Sequence, residues 1–159
     1  MIKQGDRIPA HKLMAATPEG PREVDTAELF STGKTVLFAV PGAFTPTCSG
    51  KHLPGFIQHA AEIKAKGVDR IFCLSVNDVY VMDAWRKDQR AGDAVSLLAD
   101  GSAAFTRALG LELDLSGRGM GIRSQRFALI AENGIVTHLF VEQPGGFEVS
   151  RAEAVLEAL

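Results

Sequence analysis

Short apolar runs alternate along the chain with longer segments in which apolar residues recur at helical spacing. Val36–Val40 is continuously apolar, which is typical of a strand that is covered on both faces. In Pro54–Lys66, by contrast, Phe56, Ala60 and Ile63 recur at the spacing of one helix face. The same two patterns continue downstream. They predict strands over 36–40, 71–76 and 95–99, and helices over 54–66, 79–90 and 102–109.

The last third of the chain predicts a hairpin and a closing helix. Phe127–Ala131 and Ile135–Val141 are apolar runs joined by Asn-Gly at 133–134, a dipeptide that tolerates the positive φ values of tight hairpin turns. Ser150 and Glu153 stand three residues apart and form a capping-box pattern. We therefore expect two antiparallel strands and then a helix that begins near Ser150.

The order of these elements predicts the fold class. Alternating strands and helices are typical of an α/β protein, and the closing hairpin makes the sheet mixed. This is the arrangement of a thioredoxin-like fold, with a central mixed β-sheet flanked by helices. The first thirty residues are expected to form an N-terminal extension with a possible hairpin, and Leu115–Gly121 a surface loop. At 159 residues, the chain fits a single domain over 1–159.

Composition and charge narrow the function classes. The formal net charge is −2 and no run of Lys or Arg forms a basic stripe, which argues against a nucleic-acid partner. No apolar run approaches the roughly 20 residues that a membrane helix needs. Met1–Pro9 carries Lys3, Asp6 and Arg7 and has no apolar core of a secretory signal. We therefore expect a cytoplasmic protein that neither enters a membrane nor binds nucleic acid.

Two cysteines, Cys48 and Cys73, are the candidate redox groups. Neither belongs to a Cys-x-x-Cys motif, which argues against a thiol–disulfide oxidoreductase. The four histidines show no metal-site spacing to a cysteine. We therefore expect no metal.

Cys48 lies in the segment PGAFTPTCSGKHLPGF, between a predicted buried strand and a predicted helix. Free backbone N–H groups and the helix dipole favour a thiolate near the first turn of a helix. Thr45 and Thr47 add hydroxyl groups beside the sulfur, and Pro46 suits a helix start. A free cysteine is also often a small buried apolar residue. From the residues alone, a reactive and a purely structural Cys48 are equally compatible with the pattern.

The segment resembles the active-site signature of the peroxiredoxins, Pro-x-x-x-Thr-x-x-Cys, with Pro41, Thr45 and Cys48 at the three fixed positions. The longer PGAFTPTCS and the following HLPGF resemble the type II, peroxiredoxin-5-like branch of this thioredoxin-like family. The resemblance covers most of the chain. It continues through IFCLSVND at 71–78, LADGS at 98–102, LGLELDL at 109–115 and RFALI at 126–130.

The resemblance implies a role for each signature residue. Cys48 would be the peroxidatic cysteine, Thr45 would hydrogen-bond the substrate and the sulfur, and Pro41 would shield the site from water. The family's distant arginine corresponds to Arg126, whose guanidinium would stabilise the thiolate and the leaving oxygen. Arg123 lies close by in the sequence and is the other candidate for that role.

His52 stands one helical turn after Cys48 and has two interpretations. It either modulates the pocket or receives a reductant, or it is a partly exposed histidine at a helix start with no function in the site.

The resemblance implies a peroxidase that reduces hydrogen peroxide and organic hydroperoxides through a Cys48 sulfenic acid, in antioxidant defence and redox homeostasis. We expect this reaction to need no cofactor. Because no cysteine follows Cys73, a resolving cysteine late in the chain is excluded. We expect a buried, structural Cys73 and a one-cysteine mechanism resolved by glutathione, with or without glutaredoxin. The alternatives are a thioredoxin-reduced enzyme with Cys73 as resolving cysteine, and a non-catalytic peroxide sensor. The branch commonly forms homodimers.

Overall fold

The computed structural model describes all 159 residues. Nine strands and five α-helices follow one another along the chain. Their bounds are β1 Lys12–Thr17, β2 Gly20–Asp25, α1 Thr26–Leu29, β3 Lys34–Val40, α2 Leu53–Ala65, β4 Val68–Ser75, α3 Val79–Gln89, β5 Ser96–Ala99, α4 Ala104–Leu109, β6 Glu112–Leu115, β7 Gly121–Ser124, β8 Phe127–Glu132, β9 Ile135–Val141 and α5 Ala152–Ala158.

Seven strands form one mixed sheet, in the order β2-β1-β5-β4-β3-β8-β9. The central strands β3, β4 and β5 are parallel, whereas β8 pairs antiparallel with β3, and β1 antiparallel with β5. β6 and β7 form a separate two-stranded ribbon. The predicted α/β class, with a central mixed sheet flanked by helices, is confirmed. That the chain is a single domain stays a prediction. No helix of the structure is long and apolar enough to cross a membrane.

Successive side chains of β3 point to opposite faces of the sheet, and the core forms two clusters, one on each face. Phe38 and its neighbours two positions away point to the cluster that also contains Cys48, Cys73 and the buried faces of α2 and α3. Leu37 and Ala39 point to the opposite cluster. Since both faces are covered, the strand is continuously apolar, as the sequence pattern indicated.

The N-terminal extension contains the hairpin that the sequence left possible. β1 and β2 pair from Lys12 with Asp25 to Thr17 with Gly20, and β1 then joins the main sheet through β5. The extension thus supplies one edge of the sheet instead of lying apart from it.

One local prediction gains detail and a second needs correction. The loop predicted at Leu115–Gly121 is the turn of the β6–β7 ribbon and contains a short 3-10 helix, Ser116–Arg118. The capping box is wrong: α5 is capped by Arg151, and the Ser150 hydroxyl donates to the Glu142 carboxylate instead. A buried carboxylate needs donors more than an exposed helix end does, because a buried charge without partners is costly.

Candidate active site

The loop that leaves β3 at Pro41 is held against the end of β4. The backbone N–H of Ala43 donates to Asn77 Oδ1 over 3.0 Å, and the Thr45 hydroxyl donates to the carbonyl of Gly42 over 2.7 Å. Phe44 takes a positive φ of 63° at the tip of this loop. These contacts fix the loop at the carboxyl edge of the two central parallel strands, directly before Cys48.

Cys48 lies near the start of the next helix, as the sequence predicted, and its side chain is fully buried. Helical backbone begins at Pro46, and Cys48–His52 forms a π-helical segment in which the N–H of Leu53 donates to the Cys48 carbonyl. Such wide turns recur at functional sites. Ser49 Oγ accepts a 2.9 Å hydrogen bond from Trp85 Nε1, which ties this turn to α3.

Arg126 is the arginine that reaches the sulfur. It lies in the short link between β7 and β8, and its Nη2 donates to Cys48 Sγ over 3.1 Å. Arg123 donates instead to the backbone carbonyls of Met120, at 2.9 Å, and Pro41, at 3.4 Å. Of the two arginines that the sequence left open, the structure places only Arg126 against the thiol.

His52 is fully buried beside this contact, so the interpretation as a partly exposed histidine at a helix start is wrong. Its Nδ1 accepts from Arg126 Nη1 and its Nε2 donates to the Ser150 carbonyl, both over 2.9 Å. An arginine only donates and a carbonyl only accepts, so the two partners together require a neutral ring with the proton on Nε2. Burial, helped by the charge of Arg126, lowers the pKa of His52 from 6.5 to about 3, although the bond to Ser150 acts in the opposite direction.

Glu142 holds the segment 143–150, here called the strap, over the site. Its Oε2 accepts from the N–H groups of Glu148 and Ser150, both at 2.8 Å, and from the Ser150 hydroxyl at 2.7 Å. The strap carries Phe147, whose ring centre lies 5.1 Å from the His52 ring and 5.9 Å from the Arg126 guanidinium. Sequence reasoning missed Glu142 and the strap, because no local motif distinguishes a buried glutamate beyond a strand end.

A cleft of about 560 Å³ borders the site. Its walls include Pro41, Thr45 and Arg126, the residues that the sequence singled out beside Cys48. A volume of this order suits a small-molecule ligand. A larger cleft of about 650 Å³ lies on the β1–β2 side of the sheet, but it contains neither cysteine. The smaller cleft is therefore the candidate substrate site.

Cys73 lies in the middle of β4 and is fully buried, as expected. It belongs to the same core cluster as Cys48. Burial raises the pKa of the Cys73 thiol well above its ordinary value, and the neighbouring Cys48 raises it further. A buried, protonated thiol is a poor nucleophile. No group of three or more His, Cys, Asp or Glu side chains is placed to hold a metal ion.

The sequence matches the Redoxin family over residues 3–156. Peroxiredoxin-2D of Arabidopsis thaliana is 56% identical and aligns with 99% of this chain and 98% of its own length. The chain belongs to the peroxiredoxin family. Peroxiredoxin-2E-2, a chloroplastic protein of Oryza sativa subsp. japonica, is 53% identical over 99% of this peroxiredoxin and 72% of its own length.

Solved structures agree with this membership. Reduced Prx3 of Vibrio vulnificus in complex with hydrogen peroxide is 55% identical, with a TM-score of 0.95 over 99% of both chains. The antioxidant protein of Plasmodium falciparum, a 1-Cys peroxiredoxin, is 34% identical, with a TM-score of 0.91 over 99% of this chain and 98% of its own. Since peroxiredoxins are thiol peroxidases, this peroxiredoxin is an oxidoreductase that acts on peroxide.

The neutral His52 makes folding pH-dependent. Because folding lowers its pKa from 6.5 to about 3, the unfolded chain binds a proton between these values that the folded chain does not. The free energy of unfolding should thus be highest above pH 6.5 and fall as pH falls toward 3, by about 1.4 kcal/mol per pH unit from this group. Denaturant unfolding of the wild type and of His52→Asn at several pH values measures how the free energy of unfolding changes with pH. The variant should show a shallower slope, and equal slopes would contradict the assignment.

Proposed function

We propose that Cys48 is the peroxidatic cysteine and that the chain reduces hydrogen peroxide and organic hydroperoxides to water and alcohols. The observation that carries this proposal is the 3.1 Å contact from Arg126 Nη2 to Cys48 Sγ. A guanidinium at this distance stabilises the thiolate, which is the nucleophilic form of cysteine. The fully buried sulfur lies beside the cleft that Thr45 and Arg126 help to line.

In the first half-reaction the Cys48 thiolate attacks the terminal oxygen of the hydroperoxide. The S–O bond forms as the O–O bond breaks, sulfur is oxidised to the sulfenic acid, and the leaving oxygen departs as hydroxide or alkoxide and takes up a proton. Arg126 stabilises the negative charge that develops on that oxygen. The Thr45 hydroxyl already donates to Gly42, so its oxygen is free to accept the hydroperoxide proton. Pro41 lines the same cleft, where its proposed role is to shield the sulfur from water.

In the second half-reaction glutathione resolves the sulfenic acid. Its thiolate attacks the sulfenic sulfur, the S–S bond forms as the S–O bond breaks, and the hydroxide that leaves takes up a proton to become water. Glutaredoxin or a second glutathione then reduces the mixed disulfide. Burial of Cys73 supports an external resolving thiol, because a protonated thiol in the core reacts slowly. In this proposal Cys73 is structural and the mechanism uses one cysteine. The enzyme would serve antioxidant defence and redox homeostasis, and its cytoplasmic location stays a prediction.

Peroxide consumption by the wild type, Cys48→Ser and Cys73→Ser tests these assignments, with glutathione plus glutaredoxin supplied first and thioredoxin second. We expect turnover with glutathione and glutaredoxin that disappears in Cys48→Ser and persists within about threefold in Cys73→Ser, since only the former removes the nucleophile. The two cysteines provide a matched pair, because both are buried and both changes replace sulfur with oxygen.

Three results would contradict the proposal in different places. Loss of turnover in Cys73→Ser, with thioredoxin as the only effective reductant, would make Cys73 the resolving cysteine. A single stoichiometric reaction without turnover under either reductant would indicate a peroxide sensor. Undiminished turnover in Cys48→Ser would remove Cys48 from the mechanism.

We further propose that two copies associate as a homodimer. Two aromatic side chains near the site lack cover: Phe44 is 51% exposed and Tyr80, in the first turn of α3, is 74% exposed. The Phe44 ring lies 6.5 Å from that of Trp85 on the same helix. Exposed aromatic residues are enriched at interface centres.

Analytical ultracentrifugation tests the dimer. The wild type should sediment as a dimer at micromolar concentration, and Tyr80→Glu should weaken association at least about tenfold, because it buries a charge in the interface. Glu112→Gln, at an exposed position on the β6–β7 ribbon, serves as the control. A monomeric wild type, or a dimer that tolerates Tyr80→Glu, would contradict this proposal.

A further inference from the structure

The cleft beside Cys48 has an apolar wall that the proposed chemistry at the sulfur does not use. Leu113 and Leu115 lie two positions apart on β6, so their side chains point to the same face of the β6–β7 ribbon, and both line the cleft. Met120, which directly precedes β7, also lines it. All three residues are half-buried. An alkyl chain in the cleft would remove this apolar surface from water, whereas hydrogen peroxide has no apolar part to contact it.

Arg118 lies at the tip of the same ribbon. The chain reverses there through the 3-10 turn Ser116–Arg118, and Gly119 takes the positive φ of 72° that follows the turn. The N–H of Met120 donates to the Leu115 carbonyl over 3.1 Å, which holds the two sides of the turn together. Arg118 is exposed and lines the cleft. The turn therefore places a guanidinium beside the apolar wall.

The guanidinium of Arg118 has no partner in the structure. Its side chain donates no hydrogen bond, and none of the ion pairs includes it. Arg126, the other arginine of the cleft, already donates to Cys48 and His52. Glu142 is the only carboxylate among the lining residues, and it is buried and accepts from three donors of the strap. The cleft therefore offers one free cation and favours a negatively charged ligand.

We propose that Arg118 is a specificity-determining residue, which binds the carboxylate of amphiphilic organic hydroperoxides such as fatty-acid hydroperoxides. The inference rests on the proposed peroxidase function and adds to it a preference for one class of substrate. In this arrangement Leu113, Leu115 and Met120 cover the alkyl chain of the same molecule.

Exposure along the cleft sets the orientation of such a substrate. The sulfur of Cys48 is fully buried, Arg126 and the apolar wall are half-buried, and Arg118 is exposed. The hydroperoxide group therefore enters first, and the carboxylate stays at the mouth of the cleft, where it keeps part of its hydration. The reverse orientation would bury the carboxylate at a cost and leave the hydroperoxide away from the sulfur.

The ratio of two rates tests the role of Arg118. Linoleic acid hydroperoxide and its methyl ester carry the same peroxide and the same chain, and they differ in the charge at one end. Their second-order rates of Cys48 oxidation are measured in single-turnover reactions through the fluorescence of Trp85, below the concentrations at which either forms micelles. The ratio of the acid rate to the ester rate cancels any effect of a variant on the reactivity of Cys48 itself.

Charge reversal should change this ratio at Arg118 and not elsewhere. Arg118→Gln should lower the ratio about threefold, since an exposed ion pair contributes modestly, and Arg118→Glu should lower it at least about tenfold, since repulsion replaces attraction. Arg107→Glu is the matched control, because Arg107 is exposed on α4, lies outside the cleft and gives the same change in net charge. It should leave the ratio within about twofold of the wild type.

A ratio that Arg118→Glu leaves unchanged, or that Arg107→Glu lowers by the same factor, would overturn the proposal and leave the peroxidase function intact. If the chain consumes no peroxide, the proposed function fails, and isothermal titration of laurate into Cys48→Ser decides the carboxylate site. Laurate should then bind at least about tenfold more weakly when Arg118→Glu is added to Cys48→Ser than when Arg107→Glu is added. Equal affinities would overturn the carboxylate site as well.

Discussion

The hydrogen bond from Arg126 to Cys48 joins parts of the chain that lie 78 residues apart. Pairing between β3 and β8 makes it possible. In this antiparallel pair Ala39 lies opposite Phe127, so the residue before β8 is brought to the end of β3, where the Cys48 loop begins. A register slip of one residue would turn the side chains of β8 to the other face of the sheet and destroy the alignment. Both strands are buried on both faces, which specifies the register strongly.

Around this contact the polar groups form a continuous chain through otherwise apolar surroundings. Arg126 donates to His52, His52 donates to Ser150, Ser150 donates to Glu142, and the N–H of Glu142 donates back to the Arg126 carbonyl. Fully satisfied networks of this kind rigidify a site, whereas an unpaired member would be costly. The result is a preorganised guanidinium beside a buried sulfur, which is the condition for stabilising a charge that appears only during reaction.

Much of this could be predicted from the sequence. The apolar runs predicted the central strands, and the helical spacing of Phe56, Ala60 and Ile63 predicted α2, because both patterns reflect burial directly. The residue spacing did not decide whether Cys48 is reactive or structural. The resemblance to the peroxiredoxin signature indicated that it is the reactive cysteine.

Sequence patterns failed where tertiary contacts decide. The resemblance assigned the role to Arg126 and left Arg123 as the other candidate, and the spacing of the residues could not decide between them. The β3–β8 register brings Arg126 to the sulfur of Cys48. Ser150 looked like a helix cap, but the buried Glu142 takes its hydroxyl. The sequence left open a partly exposed His52 at a helix start, yet the strap and two core phenylalanines enclose its ring.

The most direct test of the account compares Arg126→Gln with Arg123→Gln in a single-turnover reaction with hydrogen peroxide, followed through the fluorescence of Trp85. Loss of one preorganised donor should slow oxidation of Cys48 about 10²- to 10³-fold in Arg126→Gln. Arg123→Gln, which removes a guanidinium that contacts only backbone carbonyls, should stay within about tenfold of the wild type. A wild-type rate in Arg126→Gln, or an equal loss in both variants, would contradict the central role of the Arg126–Cys48 contact.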